Sequence, residues 1–126
     1  MARHNQVGSW GENLAREYML KQGYAIVEQN LVIGKNEIDF VAMKDDKIVF
    51  FEVKTRSTSF TNPADAVDIK KMSRLAKAAD AYIRARDIIH EPQIDIISVI
   101  GTPEASRDSI VIEHIPDAFR PPIQLR

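Results

Sequence analysis

Asp39, Glu52 and Lys54 are the residues whose types and spacing point to chemistry. They fall in one stretch, Asn36 to Arg56, that reads NEIDFVAMKDDKIVFFEVKTR. Ile38, Phe40 and Ala42 alternate with Glu37, Asp39, Val41 and Met43, and Ile48 to Phe51 continues into Glu52-Val53-Lys54. β-Branched and aromatic residues around a polar break are hairpin chemistry. With Asp45 and Asp46 as the central turn residues, Lys44 faces Lys47, Asp39 faces Glu52 and Glu37 faces Lys54. Because side chains alternate along a strand, these four charged residues share one face. Directly opposed side chains sit about 4.5–5.5 Å apart, and like charges there destabilise a sheet. An Asp facing a Glu therefore calls for a cation. The Lys54 ammonium serves in part, and a hard divalent ion such as Mg²⁺ serves better, since it takes carboxylate oxygens and keeps several waters. A solvated face bearing ordinary charges is the plainer alternative. Against it, Val41, Met43, Ile48 and Phe50 occupy the same face, so the charges cluster at one end of an apolar hairpin.

The elements that must position this hairpin follow from pattern. Ser9 offers an N-cap, and Glu12 completes an S-x-x-E capping box. Trp10, Leu14 and Tyr18, with Ala15 and Met19, form the apolar face of a first helix that Gly23 ends. Tyr24 to Asn30 alternates like a strand, and Gly34 and Asn36 mark the turn before the hairpin. Thr55 to Asn62 is polar loop, and Pro63 fits the start of a helix over about Ala64 to Arg86. That helix carries an apolar stripe of Ile69, Met72, Ala76, Ala79 and Ile83. A basic stripe of Lys70, Arg74, Lys77 and Arg84, with Lys71 nearby, is either a solvated face, partly offset by Asp80, or a phosphate-backbone contact. His90 to Gln93 is a connector. Ile94 to Ile100 (IDIISVI) is apolar on both faces and so an interior strand, and Ile110 to Ile115 is the last strand. The expected class is α/β, in the order α-β-β-β-α-β-β, with a mixed five-stranded sheet flanked by helices.

The chain as a whole narrows the function. At 126 residues it suits one domain, with residues 1–8 and 116–126 expected to be flexible or extended ends. A net charge of −1 argues against a non-specific polybasic binder, so nucleic-acid contact has to come from a local patch. The absence of cysteine excludes thiolate catalysis and cysteine-type zinc sites. No apolar leader or membrane-length segment is evident, and cytoplasmic is the default compartment.

The ordered set GENLAREYMLKQGYAIVEQN, NEIDFVAM, IVFFEVKTR, the helix from Ala64 to Ile83 and IDIISV resembles the PD-(D/E)XK nuclease superfamily. More closely it looks like the YraN-like uncharacterised protein family, whose members are similar to archaeal Holliday-junction resolvases. The likeness spans nearly the whole chain and implies a restriction-endonuclease-like core. It also implies an Mg²⁺-dependent (or Mn²⁺-dependent) endodeoxyribonuclease, with DNA, branched DNA included, as partner. Carried over by position, the pattern places metal-binding acids at Asp39 and Glu52, the catalytic lysine at Lys54 and a site glutamate at Glu12. Asn36, Thr61 and the Gln93-Ile94 pair depart from the family pattern, and none of them belongs to the metal motif.

Each residue also has a plainer reading. Lys54 is the group to position an attacking water or stabilise the phosphorane, or else a salt-bridge partner of Glu37. Glu12 is explained equally by its capping box and by a place in the site through a bound water. Arg56 meets a phosphate or is solvated. His4, His90 and His114 have no metal-ligand spacing, and Asp95 is expected to have a structural partner. Two functions follow: a metal-dependent endonuclease cutting phosphodiester bonds, and a nuclease-fold module that binds nucleic acid or protein without cutting. The intact Asp39, Glu52 and Lys54 set favours the first. The near-neutral charge favours the second, or a site reached only with a partner or as a homodimer that builds a longer basic track.

Overall fold

The computed structural model describes residues 4–57 and 68–120, with side chains from residue 8 onward. Its elements are α1 (His4–Lys21), β1 (Ala25–Ile33), β2 (Asn36–Lys44), β3 (Lys47–Arg56), α2 (Ile69–Ala85), β4 (Glu91–Ile100) and β5 (Val111–Ile115). A short 3₁₀ turn, Arg107–Ser109, precedes β5. The order is the expected α-β-β-β-α-β-β, and the five strands form one mixed sheet in sequential order. β1–β2, β2–β3 and β4–β5 are antiparallel, whereas β3–β4 is parallel. A parallel neighbour requires a crossover, and α2 lies on that connection.

Period-two alternation divides the sheet between two cores. Val41, Ile48, Phe50, Ile94 and Ile96 pack with Met72, Leu75, Ala78, Ala79 and Tyr82 of α2. Phe40, Ala42, Val49, Phe51, Ile97 and Val99 pack with Leu14, Ala15 and Met19 of α1. From Ile94 to Ile100 β4 is buried along its length, as an apolar strand between two neighbours must be. The hairpin forms with its expected turn: Lys44 pairs with Lys47 and Asp45 takes φ 56, a left-handed conformation that aspartate tolerates.

Helix starts differ from the sequence expectation. α1 begins at His4, so residues 4–8 are helical and Ser9 lies inside the helix, where it caps nothing. Asp68 has extended backbone (φ −103, ψ 110), and its side chain accepts from the N–H of Lys70 and Lys71, so α2 starts at Ile69. Aspartate satisfies two of the orphan N–H groups of a first turn. A helix running unbroken from the expected start near Ala64 is thereby excluded; Pro63 and Ala64 themselves lie outside the described residues, as does most of the polar loop. The buried stripe of α2 is Met72, Leu75, Ala78, Ala79 and Tyr82, and Ile69, expected within it, is 62 % exposed. β1 and β4 are also longer than the patterns suggested, the latter because Glu91 to Gln93 pairs with Lys47 to Val49.

At the other end, the chain after β5 is tied down as far as Phe119. Ala118 N–H donates to Ile94 O at 2.7 Å, and Ala118 and Phe119 pack on the α2-side core. The segment from Pro116, expected as a flexible or extended end, is thus anchored through Ala118 and Phe119; 121–126 lie outside the description.

Candidate functional site

The β2–β3 ladder holds the expected register from Lys44↔Lys47 to Phe40↔Phe51 and stops there. Asp39 and Glu52, one step further, are not ladder partners. Instead Asp39 Oδ2 accepts the Val53 N–H at 2.8 Å, so a side chain takes the place of a ladder carbonyl. The alternation of β2 also changes phase here. Ile38, which strict alternation would set beside Phe40 under α1, packs in the α2-side core. The expected opposition of Glu37 and Lys54 does not form, and no ion pair joins them among the described residues. The two acids nonetheless open into one cleft of about 240 Å³, lined also by Glu37, Lys35, Lys71 and Arg74.

The electrostatics of that cleft are unfavourable to a bare carboxylate. Burial pushes the Asp39 carboxyl up from its ordinary 3.8 to about 7. The charge of Glu52 adds to the rise, the Val53 N–H pulls the other way, and Glu12 and Glu37 contribute smaller increments. Glu52 is 4 % exposed and meets the Lys71 ammonium, with Nζ 2.5 Å from Oε2. Burial draws the Lys71 amine down, but the hydrogen bond and charge of Glu52, with Asp39 and Asp68, outweigh it and leave the amine raised.

Among the expected site residues, the cleft gathers Asp39, Glu52 and Arg74. Glu12, on α1, is partly buried and close enough for its charge to act on Asp39. With the helix starting at His4 its capping-box explanation is gone. Gly11 is what lets α1 approach: a Cβ there would fall 2.2 Å from Thr55 Oγ1 of β3. Lys54 follows Glu52 along the α2-facing side of β3, beside Ser98 of β4, and its charge is felt at Asp68. Lys70 and Lys77 are exposed on α2. Arg56 is engaged by Glu113 of β5 at 3.3 Å. Lys71 and Lys35 are the cleft residues that sequence reasoning passed over. Lys71 was visible as a neighbour of the basic stripe, but nothing local marked its reach to Glu52.

A second polar group lies on the α1 side of the sheet. Asp95, fully buried, faces His114 Nε2 at 2.7 Å and accepts from Gln93 Nε2 and the Asp117 N–H, each at 2.9 Å. The Tyr18 hydroxyl meets His114 Nδ1 at 2.8 Å. Asp95 thus has the structural partner expected of it, and His114 is part of that arrangement.

Two carboxylates at one cleft, with neighbouring cations, are the donor set that Mg²⁺ accepts, since it needs only one or two carboxylates beside water and phosphate oxygens. Among the described residues no group of three or more His, Cys, Asp or Glu side chains is placed to hold a metal ion, so an ion here would rest on the two acids with water and substrate oxygens. Nor is any helix there long and apolar enough to cross a membrane.

Fold and cleft together define an α/β protein with an α-β-β-β-α-β-β mixed sheet and a paired-carboxylate cleft where the β2–β3 ladder ends. The model of a family described as "Uncharacterised protein family UPF0102" matches residues 11–99, and this chain belongs to that family. A UPF0102 protein of Bacteroides thetaiotaomicron is 44% identical over 124 residues, spanning 98% of this chain and 99% of the relative. One from Flavobacterium johnsoniae is 42% identical over 120 residues, spanning 94% and 98%. The match covers α1 from Gly11, β1, the hairpin, α2 and most of β4, and so includes every candidate site residue.

Proposed function

We propose that this protein is a metal-dependent endodeoxyribonuclease that hydrolyses phosphodiester bonds in DNA, branched DNA among its substrates, in the cytoplasm. The observation that carries the reading is the pair Asp39 and Glu52, two carboxylates set into one cleft with cations on its walls. In this reading Asp39 and Glu52 hold Mg²⁺ (or Mn²⁺), and Glu12 supports the ion from outside through water. A bound divalent ion acidifies its water and neutralises charge on a phosphate. The Val53 N–H fixes one Asp39 oxygen and so orients the carboxylate. Lys54 is the residue to position the attacking water or steady the phosphorane. Arg74 on the cleft wall, with Lys70 and Lys77 exposed on the same helix, is the phosphate contact, while Arg56 stays with Glu113. For a chain of net charge −1, a homodimer would lengthen this short basic track.

The test is cleavage of a panel of branched, flapped and linear DNAs with Mg²⁺ or Mn²⁺, beside an Asp39→Ala protein. Ion-dependent cutting that disappears in the variant supports the reading. Binding without cutting by both proteins would leave a nucleic-acid-binding module of the same fold.

A further inference from the structure

Lys71 is the cation that Glu52 already has. The carboxylate side chain is 5% exposed and the lysine 45%, so the ion pair runs from the floor of the cleft to its mouth. The root of the lysine is fixed too, because Asp68 Oδ1 accepts from the backbone N–H of Lys70 at 3.1 Å and of Lys71 at 3.2 Å. Among the described residues no other cation forms an ion pair with Asp39 or Glu52.

We propose that Lys71 is the resident counter-ion of this site: its ammonium holds Glu52 in the metal-free protein and is driven off when a divalent cation arrives. This deepens the metal reading of Asp39 and Glu52 and rests on it. A buried carboxylate beside a second one needs an opposite charge, or it destabilises the fold. An ammonium on a flexible four-carbon stem meets that need without being fixed in place. A divalent ion brings more charge and engages both acids, but with the ammonium still on Glu52 two cations would stand side by side. The two occupants exclude one another. Lys71 has an exit because nearly half of its side chain already reaches solvent. Metal affinity is then set by competition with Lys71, and α2 is coupled to metal uptake through it.

Two measurements test this. Calorimetric titration with Mn²⁺ compares the parent with Lys71→Met, Lys71→Arg and Asp39→Ala. A neighbouring charge shifts a site's preference for an ion by about one to three powers of ten, so Lys71→Met is expected to bind Mn²⁺ about tenfold or more tightly than the parent. Lys71→Arg keeps the charge and should stay near the parent. The second measurement uses the parent alone, so it decides the matter even if Lys71→Met does not fold. The ¹⁵N-ammonium NMR signal of Lys71, slowed in exchange by Glu52, should shift and lose that protection as Mg²⁺ is added. Unchanged or weaker Mn²⁺ affinity in a folded Lys71→Met, or an ammonium signal indifferent to saturating Mg²⁺, overturns the proposal. If Mn²⁺ binding is intact in the parent and abolished by Asp39→Ala, the metal reading survives that outcome. A parent that binds no Mn²⁺, or binding that persists in Asp39→Ala, overturns both.

Discussion

Replacing Asp39 by asparagine should make the metal-free protein more stable at neutral and alkaline pH, and the size of the gain follows from the cleft. The folded protein holds the Asp39 proton up to about pH 7, against an ordinary value of 3.8. At about 1.36 kcal/mol per pKa unit, this separation of roughly three units amounts to a penalty on the order of 4 kcal/mol once Asp39 is ionised. The sign is that of a raised carboxylate. Between pH 3.8 and about 7 the folded state binds more protons than the unfolded state, so stability falls as pH rises through that window. Below it the penalty is absent, and above it the penalty is complete. Asparagine keeps an oxygen to accept the Val53 N–H and cannot ionise. In EDTA, urea or thermal unfolding at pH 4, 6 and 8 should therefore show parent and variant nearly equal at the acid end. They should separate progressively, the variant ahead by up to ~4 kcal/mol at pH 8. Added Mg²⁺ at a hundred times its dissociation constant should return ~2.7 kcal/mol to the parent and little to the variant. A variant weaker than the parent at pH 8, or a gap that does not narrow on acidification, refutes this account of the cleft and leaves Asp39 as a structural acceptor.

Other consequences are separately measurable. Alanine at Lys70, Arg74 and Lys77 together should flatten the log–log salt dependence of DNA binding by about one unit of slope per residue; an unchanged slope makes the stripe a solvated face. Gly11→Ala should cost about 1–3 kcal/mol by forcing α1 off Thr55, and adding Thr55→Ala should recover much of it; equal melting of Gly11→Ala and parent would show that the helix yields freely. Asp95→Ala strips His114 and the Asp117 N–H of a buried acceptor and should cost about 3 kcal/mol or more. A denaturant midpoint matching the parent's would mean that water replaces the carboxylate.

The hairpin was legible because its information is local: alternating β-branched and aromatic residues, a turn at Asp45-Asp46, and a register that the turn dictates over five residue pairs. The helix starts were not, because capping signatures are short and recur where no helix begins. Ser9 and Glu12 match a capping box, yet the chain is already helical before them. At α2 the proline attracted the reading, whereas Asp68 holds the two free N–H groups. The inward face is also rotated from the expected one: Leu75, Ala78 and Tyr82 join the buried stripe, and Ile69, at the first helical position, is exposed. The Tyr18, His114 and Asp95 arrangement was invisible for another reason. Its members come from α1, β5 and β4, and no sequence spacing links partners that meet only across a packed sheet.

The candidate site was reached by an argument whose premise the structure alters. Sequence reasoning set Asp39 against Glu52 as partners in a continuous ladder and drew the need for a cation from their opposition. In the folded chain the ladder stops one pair short, and Asp39 binds the backbone of Val53. That hydrogen bond favours the ionised acid, so whatever favours the proton has to overcome it. What tips the balance is burial first and Glu52 second. The order matters for function. A carboxylate raised only by a neighbour's charge is relieved by a lysine on that neighbour, and Lys71 is already on Glu52. A carboxylate raised by burial is relieved by a cation that also contacts it, or by a proton. With Oδ2 committed to Val53, Asp39 is oriented before any ion arrives, so a ligand gains a carboxylate without having to order it. In the proposed metal reading, the break in the ladder is the feature that would prepare these two strand residues as a ligand pair.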